Sequence, residues 1–248
     1  TFQINNTDVS SYGPDDITDP NAFAFIYSQI VEQLAANADG VLLNIPDITT
    51  IPYFTTIPNN ALALDAATAG NLTGFFQAVA GVMTQVLIQQ GASAEQAQAI
   101  ASQYAIQFSE GANRFLIEVP VSQTNPLGFR QMTEEELLLL PIDRSALAQG
   151  YGSVVLTQEV GEVLAILQAG GQPTQQQVQT LFGAVSGIED GDVLDSEEIQ
   201  NIRTATAAYN QAIEGIATNF NLGFVDANAL VAKLDSEGIP YDGGVLNS

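Results

Sequence analysis

The stretch VLLNIPDITTIPYFTTIP, residues 41–58, decides how this chain is read. Its opening VLLNI predicts a strand too apolar to be half exposed, the kind found inside a sheet covered on both faces. After it comes a segment of Pro, Thr and aromatics without a single charge beyond Asp47. Pro52, Tyr53 and Phe54 stand just past the strand, and two readings fit them: packing on the edge of a sheet, or the wall of a site for an apolar ligand.

Upstream of that stretch, Asp19 and Pro20 occupy the cap and first-turn positions of a helix. The helix is expected to run to about Asn37, with Phe23, Ile26, Ile30 and Leu34 on one face. The first residues, TFQIN, read as a strand interior, so the order is strand, helix, strand with short links. That order is the sequence sign of a parallel sheet covered by helices.

Downstream, a long helix is predicted from Asp65 to about Gln90, carrying Leu72, Phe76, Val79, Met83 and Val86 at spacings of four and three. Ser93 caps a shorter one ending near Ala101. YAIQFSEGANRFLIEVP reads as two short strands with a turn at 110–113. Thr133 and Glu136 have capping-box spacing ahead of LLLLP, a segment that Pro141 ends. Two helical stretches, about 157–169 and 174–186, flank AGGQPTQQQ and predict a helical hairpin inserted at about 151–192. Asp195 and Glu198 open another helix, which reaches about Asn219 with Ile199, Ile202, Tyr209, Ile213, Ile216 and Phe220 inward. A strand at 224–226 and a final helix complete the pattern, and no repeat of fixed period is present.

Composition narrows the function classes. Against 28 acidic residues stand five basic ones, Arg114, Arg130, Arg144, Arg203 and Lys233, for a formal charge of -23. A field of that sign repels phosphate backbones and anionic lipid surfaces, which argues against a nucleic-acid partner. It suits solubility first, and also a salty exterior or a cationic partner. No Cys is present, so disulfides, thiol nucleophiles and zinc-thiolate sites are excluded, and no His, so there is no imidazole base or ligand. No uninterrupted apolar run approaches the roughly 20 residues of a membrane-spanning helix. Residue 1 is Thr, which points to a processed leader or to part of a longer polypeptide.

Several polar features raise chemistry and then lose it. Glu189, Asp190, Asp192, Asp195 and Glu197 lack the ligand spacing of a calcium loop and read as a solvated turn before a capped helix. Asp15, Asp16 and Asp19 read as a solvated start with Asp19 as cap. The sequons at 5–7 and 71–73 carry little weight, the second lying inside a predicted helix. AGGQPTQQQ has neither the Lys nor the preceding strand of a phosphate loop. Asp226 stands where a strand gives way to a helix, a position used both for function and for capping, and both readings stay open. No metal or cofactor site is expected.

Three stretches carry a family resemblance: ANADGVLLNIPDITTIPYFTTIPNNALALD (36–65), QNIRTATAAYNQAIEGIATNFNLGFVDANALVAKL (200–234) and MTEEELLLLP (132–141). They resemble the exported, lipid-anchored bacterial branch of the SGNH (GDSL) hydrolases. The resemblance covers about 17–240, with 151–192 the poorest match, and IPDITTIPYFTTIP and ATAAYN are its most specific parts. It implies a flavodoxin-like three-layer α/β/α fold with a parallel sheet, one domain over 1–248 that is incomplete at both ends. It also implies hydrolysis of esters, often acyl or acetyl esters of lipids or sugars.

The family's chemistry uses a Ser in an early Gly-Asp-Ser block, a Gly and an Asn as oxyanion donors, and a late Asp-x-x-His pair. The Ser needs the imidazole to take its proton, and the donors must meet the oxyanion as it forms. Neither the Ser block nor the Asp-x-x-His block has a counterpart here. The oxyanion block is best matched by INNTDV, with Asn5 at the Gly place, Thr7 at the Asn place and Asp8 retained. This leaves two expectations: a portion of a longer hydrolase, or a relative of the fold that has lost catalysis and serves binding or assembly. The resemblance further implies an ester or acyl ligand, an outer-membrane protein partner, and export to the periplasm or cell surface. Attachment to the membrane would be through a lipid on an N-terminal segment. In such a fold Pro52, Tyr53 and Phe54 would lie at the carboxyl edge of the sheet, as an acyl wall or a packed lid.

Overall fold

Residues 16–246 are described by a computed structural model. In chain order they form α1 (Pro20–Ala35), β1 (Val41–Leu43), the one-turn α2 (Pro52–Thr55), β2 (Leu62–Leu64), α3 (Ala66–Gln89) and α4 (Ala94–Ser102). Next come β3 (Gly111–Asn113), β4 (Leu116–Glu118), β5 (Phe129–Gln131), β6 (Leu137–Leu138), α5 (Arg144–Ala148) and β7 (Ser153–Val154). After these lie α6 (Gln158–Gln168), α7 (Gln175–Phe182), β8 (Val185–Ser186), β9 (Val193–Leu194) and α8 (Ser196–Asn219). The last described elements are β10 (Gly223–Val225), α9 (Ala227–Ser236), β11 (Ile239–Tyr241) and β12 (Gly244–Leu246).

The architecture is mixed α/β, built as two compact units. One comprises the described residues up to Thr55 together with those from Asp195 onward, and the other is Thr56–Leu194. The two helices expected as a hairpin at about 151–192, α6 and α7, lie in the second unit. Among the described residues the strands pair two by two rather than in one continuous sheet. Five pairs are antiparallel; β1 and β10 are parallel, with Val41 opposite Gly223 and Leu43 opposite Val225.

In the first unit α8 packs on both strands of the parallel pair and α1 packs on α8. Capping sets where these helices begin. Asp19 accepts the amides of Asn21 and Ala22 at 2.9 and 3.0 Å, and Asp195 forms a full capping box with Glu198. Phe23 stacks on Tyr27 and lies 4.5 Å from the Tyr209 ring, whose hydroxyl donates to the Thr18 carbonyl. The face expected to be apolar on α1 is covered only at Phe23, which is half-buried: Ile26, Ile30 and Leu34 are exposed and Val31 is the buried residue. The prediction for VLLNI is corrected in the same way. Val41 and Leu43 are exposed, because β1 has β10 as its one strand neighbour among the described residues. The unit ends in a hairpin, β11 and β12, turned through Asp242 and Gly243 with φ of 45° and 80°. Asp-Gly tolerates the left-handed backbone that a tight hairpin turn requires.

The second unit centres on α3. By length and composition this helix is apolar enough to cross a membrane, although Thr and Gln interrupt its apolar runs. Its Leu72, Phe75, Phe76, Val79 and Met83 are instead the middle of the unit's main core. The Phe76 ring meets those of Phe75, Phe108 and Phe129 at centroid distances of 5.0, 5.7 and 5.9 Å. Tyr104 is fully buried there, and its hydroxyl donates to Asn125 at 2.6 Å and accepts from the Leu127 amide at 3.0 Å. A smaller cluster gathers Phe115, Ile117, Leu138, Ile142, Ile188 and Val193. Gly152 at φ +76° stands against it, where a Cβ would come within 2.8 Å of Phe115 and 2.9 Å of Ile188.

Two local expectations change in this unit. Residues 111–113, read as a turn, are strand β3 on β2. After Glu136 no helix forms: Leu137 and Leu138 are β6, antiparallel to β9. The Thr133 amide does donate to Glu136 at 2.7 Å, as half of a capping box. However, the Glu136 side chain is fully buried and held by the Arg130 guanidinium, one of whose nitrogens donates at 2.8 Å, and Pro141 disfavours helix just ahead of it. Arg130→Met takes the guanidinium away from that carboxylate, and a buried charge losing its cationic partner costs about 3–5 kcal/mol. We expect a clearly lowered melting temperature, with much of the loss recovered in the Arg130→Met/Glu136→Leu double variant.

Candidate functional site

The carboxyl ends of a parallel strand pair are where α/β proteins gather chemistry, because the strand ends and the adjoining helix starts converge there. In the first unit the ladder ends at the Asn44 amide, which donates to the Val225 carbonyl at 3.3 Å. Beyond it lies a recess of about 360 Å³ lined by Asn44, Asp47, Arg203, Asn210, Asp226 and Asn228 among others. These residues come from the ends of β1 and β10, from α8 and from the start of α9.

A hydrogen-bond network fixes them. The Asn210 side chain accepts from the Ile45 amide at 2.7 Å and donates to the Ile45 carbonyl at 2.8 Å. Asn228 donates to the same carbonyl at 3.0 Å. The buried Asn44 side chain donates to Asp226 at 2.8 Å and accepts from the Asn228 amide at 2.8 Å. Asp226 also accepts the Ala229 amide at 2.9 Å, which makes it the N-cap of α9. Asp47 caps the 3₁₀ turn at Ile48–Thr50 through the Thr49 amide and hydroxyl, and Arg203 approaches it to 3.7 Å. The Ala229 amide, and then the Asn44 amide, hold the Asp226 carboxyl below its usual range.

The recess can hold a small polar ligand through amides, carboxylates and one guanidinium. Of the sequence candidates, Asp226 is in it and serves as a cap. Pro52, Tyr53 and Phe54 form the one-turn α2, and they are not among the residues lining the recess. Tyr53 is exposed and meets Phe54 edge-on at 5.0 Å. Just past them Thr56, Ile57 and Pro58 line an apolar cleft of the second unit. Asn5, Thr7, Asp8 and Asp15 lie outside the described residues. The acidic run is divided by role: Asp192 accepts the Tyr151 hydroxyl at 2.9 Å, and Asp195 caps α8. Burial, aided by Asp192, pushes the Tyr151 phenol far above its ordinary value.

Sequence reasoning missed Asn44, Asn210 and Asn228. Each looks like an ordinary polar residue until the fold brings together positions more than 160 residues apart. Two signals were available: an Asn in an otherwise apolar predicted strand, at 44, and Asn210 as the last residue of ATAAYN. Compared with known proteins, the chain matches no protein-family model, no curated protein and no solved structure.

Two variants check the network. Asn210→Leu removes two hydrogen bonds to the Ile45 peptide and should lower stability by about 2 kcal/mol, at about 1 kcal/mol per bond. Urea unfolding measures it. Asp226 is held below its unfolded value, so its contribution is complete above the ordinary Asp pKa near 3.9 and fades as pH falls through the depressed native value. Asp226→Asn keeps the cap and the Asn44 contact, and thermal melts should show this acid-side loss of stability weakened in that variant.

Proposed function

We propose that the chain is part of an exported ester hydrolase of SGNH type, in which the first unit supplies the carboxyl edge of the catalytic sheet. The observation that carries this reading is the clamp between Ile45 and Asn210. It joins the two stretches most specific to the resemblance, IPDITTIPYFTTIP and ATAAYN, although Ile45 and Asn210 are 165 positions apart. Segments that meet at a strand end have a shared reason to keep a recognisable sequence. On this reading β1 and β10 are neighbouring strands of a flavodoxin-like three-layer α/β/α sheet, with α8 on one face. The substrate class is an acyl or acetyl ester, and the protein works in the periplasm or at the cell surface, held to the outer membrane by a lipid. The 248 residues hold no His. The imidazole that takes the nucleophile's proton must then come from outside them.

That same absence favours a second reading, a non-catalytic relative of the fold that binds an ester or acyl ligand or an outer-membrane protein. The test uses the protein at its natural length, with intact mass and peptide mapping to define that length. Turnover of a short-chain aryl ester, abolished by a serine-reactive phosphonate, is the expected result. No turnover from a protein whose peptides include both a Gly-Asp-Ser and an Asp-x-x-His block would sink the hydrolase. No turnover from a protein lacking both would select the binding role.

A further inference from the structure

In the second unit an apolar cleft of about 660 Å³ opens between β2, α3, α5 and β7. Its walls include Ile57, Leu62, Leu72, Phe115, Leu147 and Val154. Ile57, Leu72, Phe115 and Val154 are otherwise buried, so the open cleft backs onto both apolar clusters of the unit. That volume lies within the range of small-molecule sites, about 300–1,000 Å³.

The charge of the lining is the second observation. Among the residues that line the cleft, one is ionisable and it is Arg144. No Asp or Glu lines it, in a chain where acidic residues outnumber basic ones 28 to five. Arg114 pairs with Glu134, Arg130 with Glu136, and Arg203 lies near Asp47. Arg144, exposed at the start of α5, has no carboxylate within 4 Å among the described residues. An apolar trough with one unengaged guanidinium has the chemistry of a site for a chain with an anionic head. A guanidinium meets a carboxylate with two parallel hydrogen bonds, and the hydrocarbon walls take the tail.

We propose that the Thr56–Leu194 unit binds a single-chain alkyl carboxylate, its tail against Leu62, Leu72 and Phe115 and its carboxylate on Arg144. The net charge of the protein repels free anions, so the tail must contribute most of the affinity and a short carboxylate such as acetate should not bind. The site is independent of the ester-hydrolase reading, since it involves none of the residues at the strand ends and no bond is made or broken.

Isothermal titration of the native protein with dodecanoate at a submicellar concentration tests this, alongside acetate and dodecanol. The expected result is saturable one-to-one binding of dodecanoate, weaker binding of dodecanol and none of acetate. Arg144→Gln changes an exposed side chain and should fold normally; it should weaken dodecanoate roughly tenfold or more, as expected for losing a hydrogen bond to a charged group, and leave dodecanol unchanged. Ala148→Phe, placed to fill the cleft from the exposed side, should weaken both long-chain ligands. No saturable binding of dodecanoate to the native protein overturns the site, and equal dodecanoate affinity in Arg144→Gln overturns the assignment of the head group. Loss of esterase activity without loss of dodecanoate binding would count against the hydrolase alone.

Discussion

The peptide group of Ile45 is the point on which the first unit turns. At Asn44 the parallel ladder with β10 runs out, and the next peptide would leave an N–H and a C=O with no strand partner. A half-buried peptide in that position is costly unless it is paired. The Asn210 side chain supplies one acceptor and one donor in the spacing a peptide needs, and Asn228 takes the carbonyl's second lone pair. Since Asn210 belongs to α8 and Asn228 to α9, satisfying one peptide also sets both helices against the end of β1. Asn44 extends the network to Asp226, so the cap of α9 is tied to the same strand end.

That constraint produces both the recess and the route of the chain. β1 cannot continue as a strand past Ile45, and Asp47 turns it into a 3₁₀ turn and then α2. The chain then enters the Thr56–Leu194 unit and returns at Asp195, where a capping box begins α8. Parallel strands need a crossover of this kind, and here it is an entire compact unit with its own two apolar clusters. The first unit buries little apolar surface on α1 and β1, while the second encloses an aromatic centre around Phe76 and a buried carboxylate satisfied by Arg130. The large negative charge is compatible with both, because nearly all of it is carried outside the cores.

Legibility tracked the range of the interactions. Three helix starts were readable because the cap and its partners lie within four residues, Asp19 for α1, Ser93 for α4 and Asp195 for α8, whereas the Asp143 cap of the short α5 was not read. The length of α3 was readable because its apolar positions repeat every three or four residues. Glu136 shows the limit. Its spacing from Thr133 matches a capping box and the local bond forms, but Arg130 and the pairing of β6 with β9 decide the backbone beyond it. The exposure of Val41 and Leu43 was also hidden, because burial of a strand depends on neighbours that composition does not specify.

What could be read without the fold is therefore local: the caps, the helical periods, the charge, and the lack of thiol and imidazole groups in these 248 residues. The tertiary structure decided which distant residues meet. Asn44, Asn210 and Asn228 became one network, and Arg144 became the one charge on an apolar cleft. The physical reason is that hydrogen bonds within a turn join residues a few positions apart, whereas the partners of a strand end or the wall of a cleft are selected by the packing of whole helices and strands.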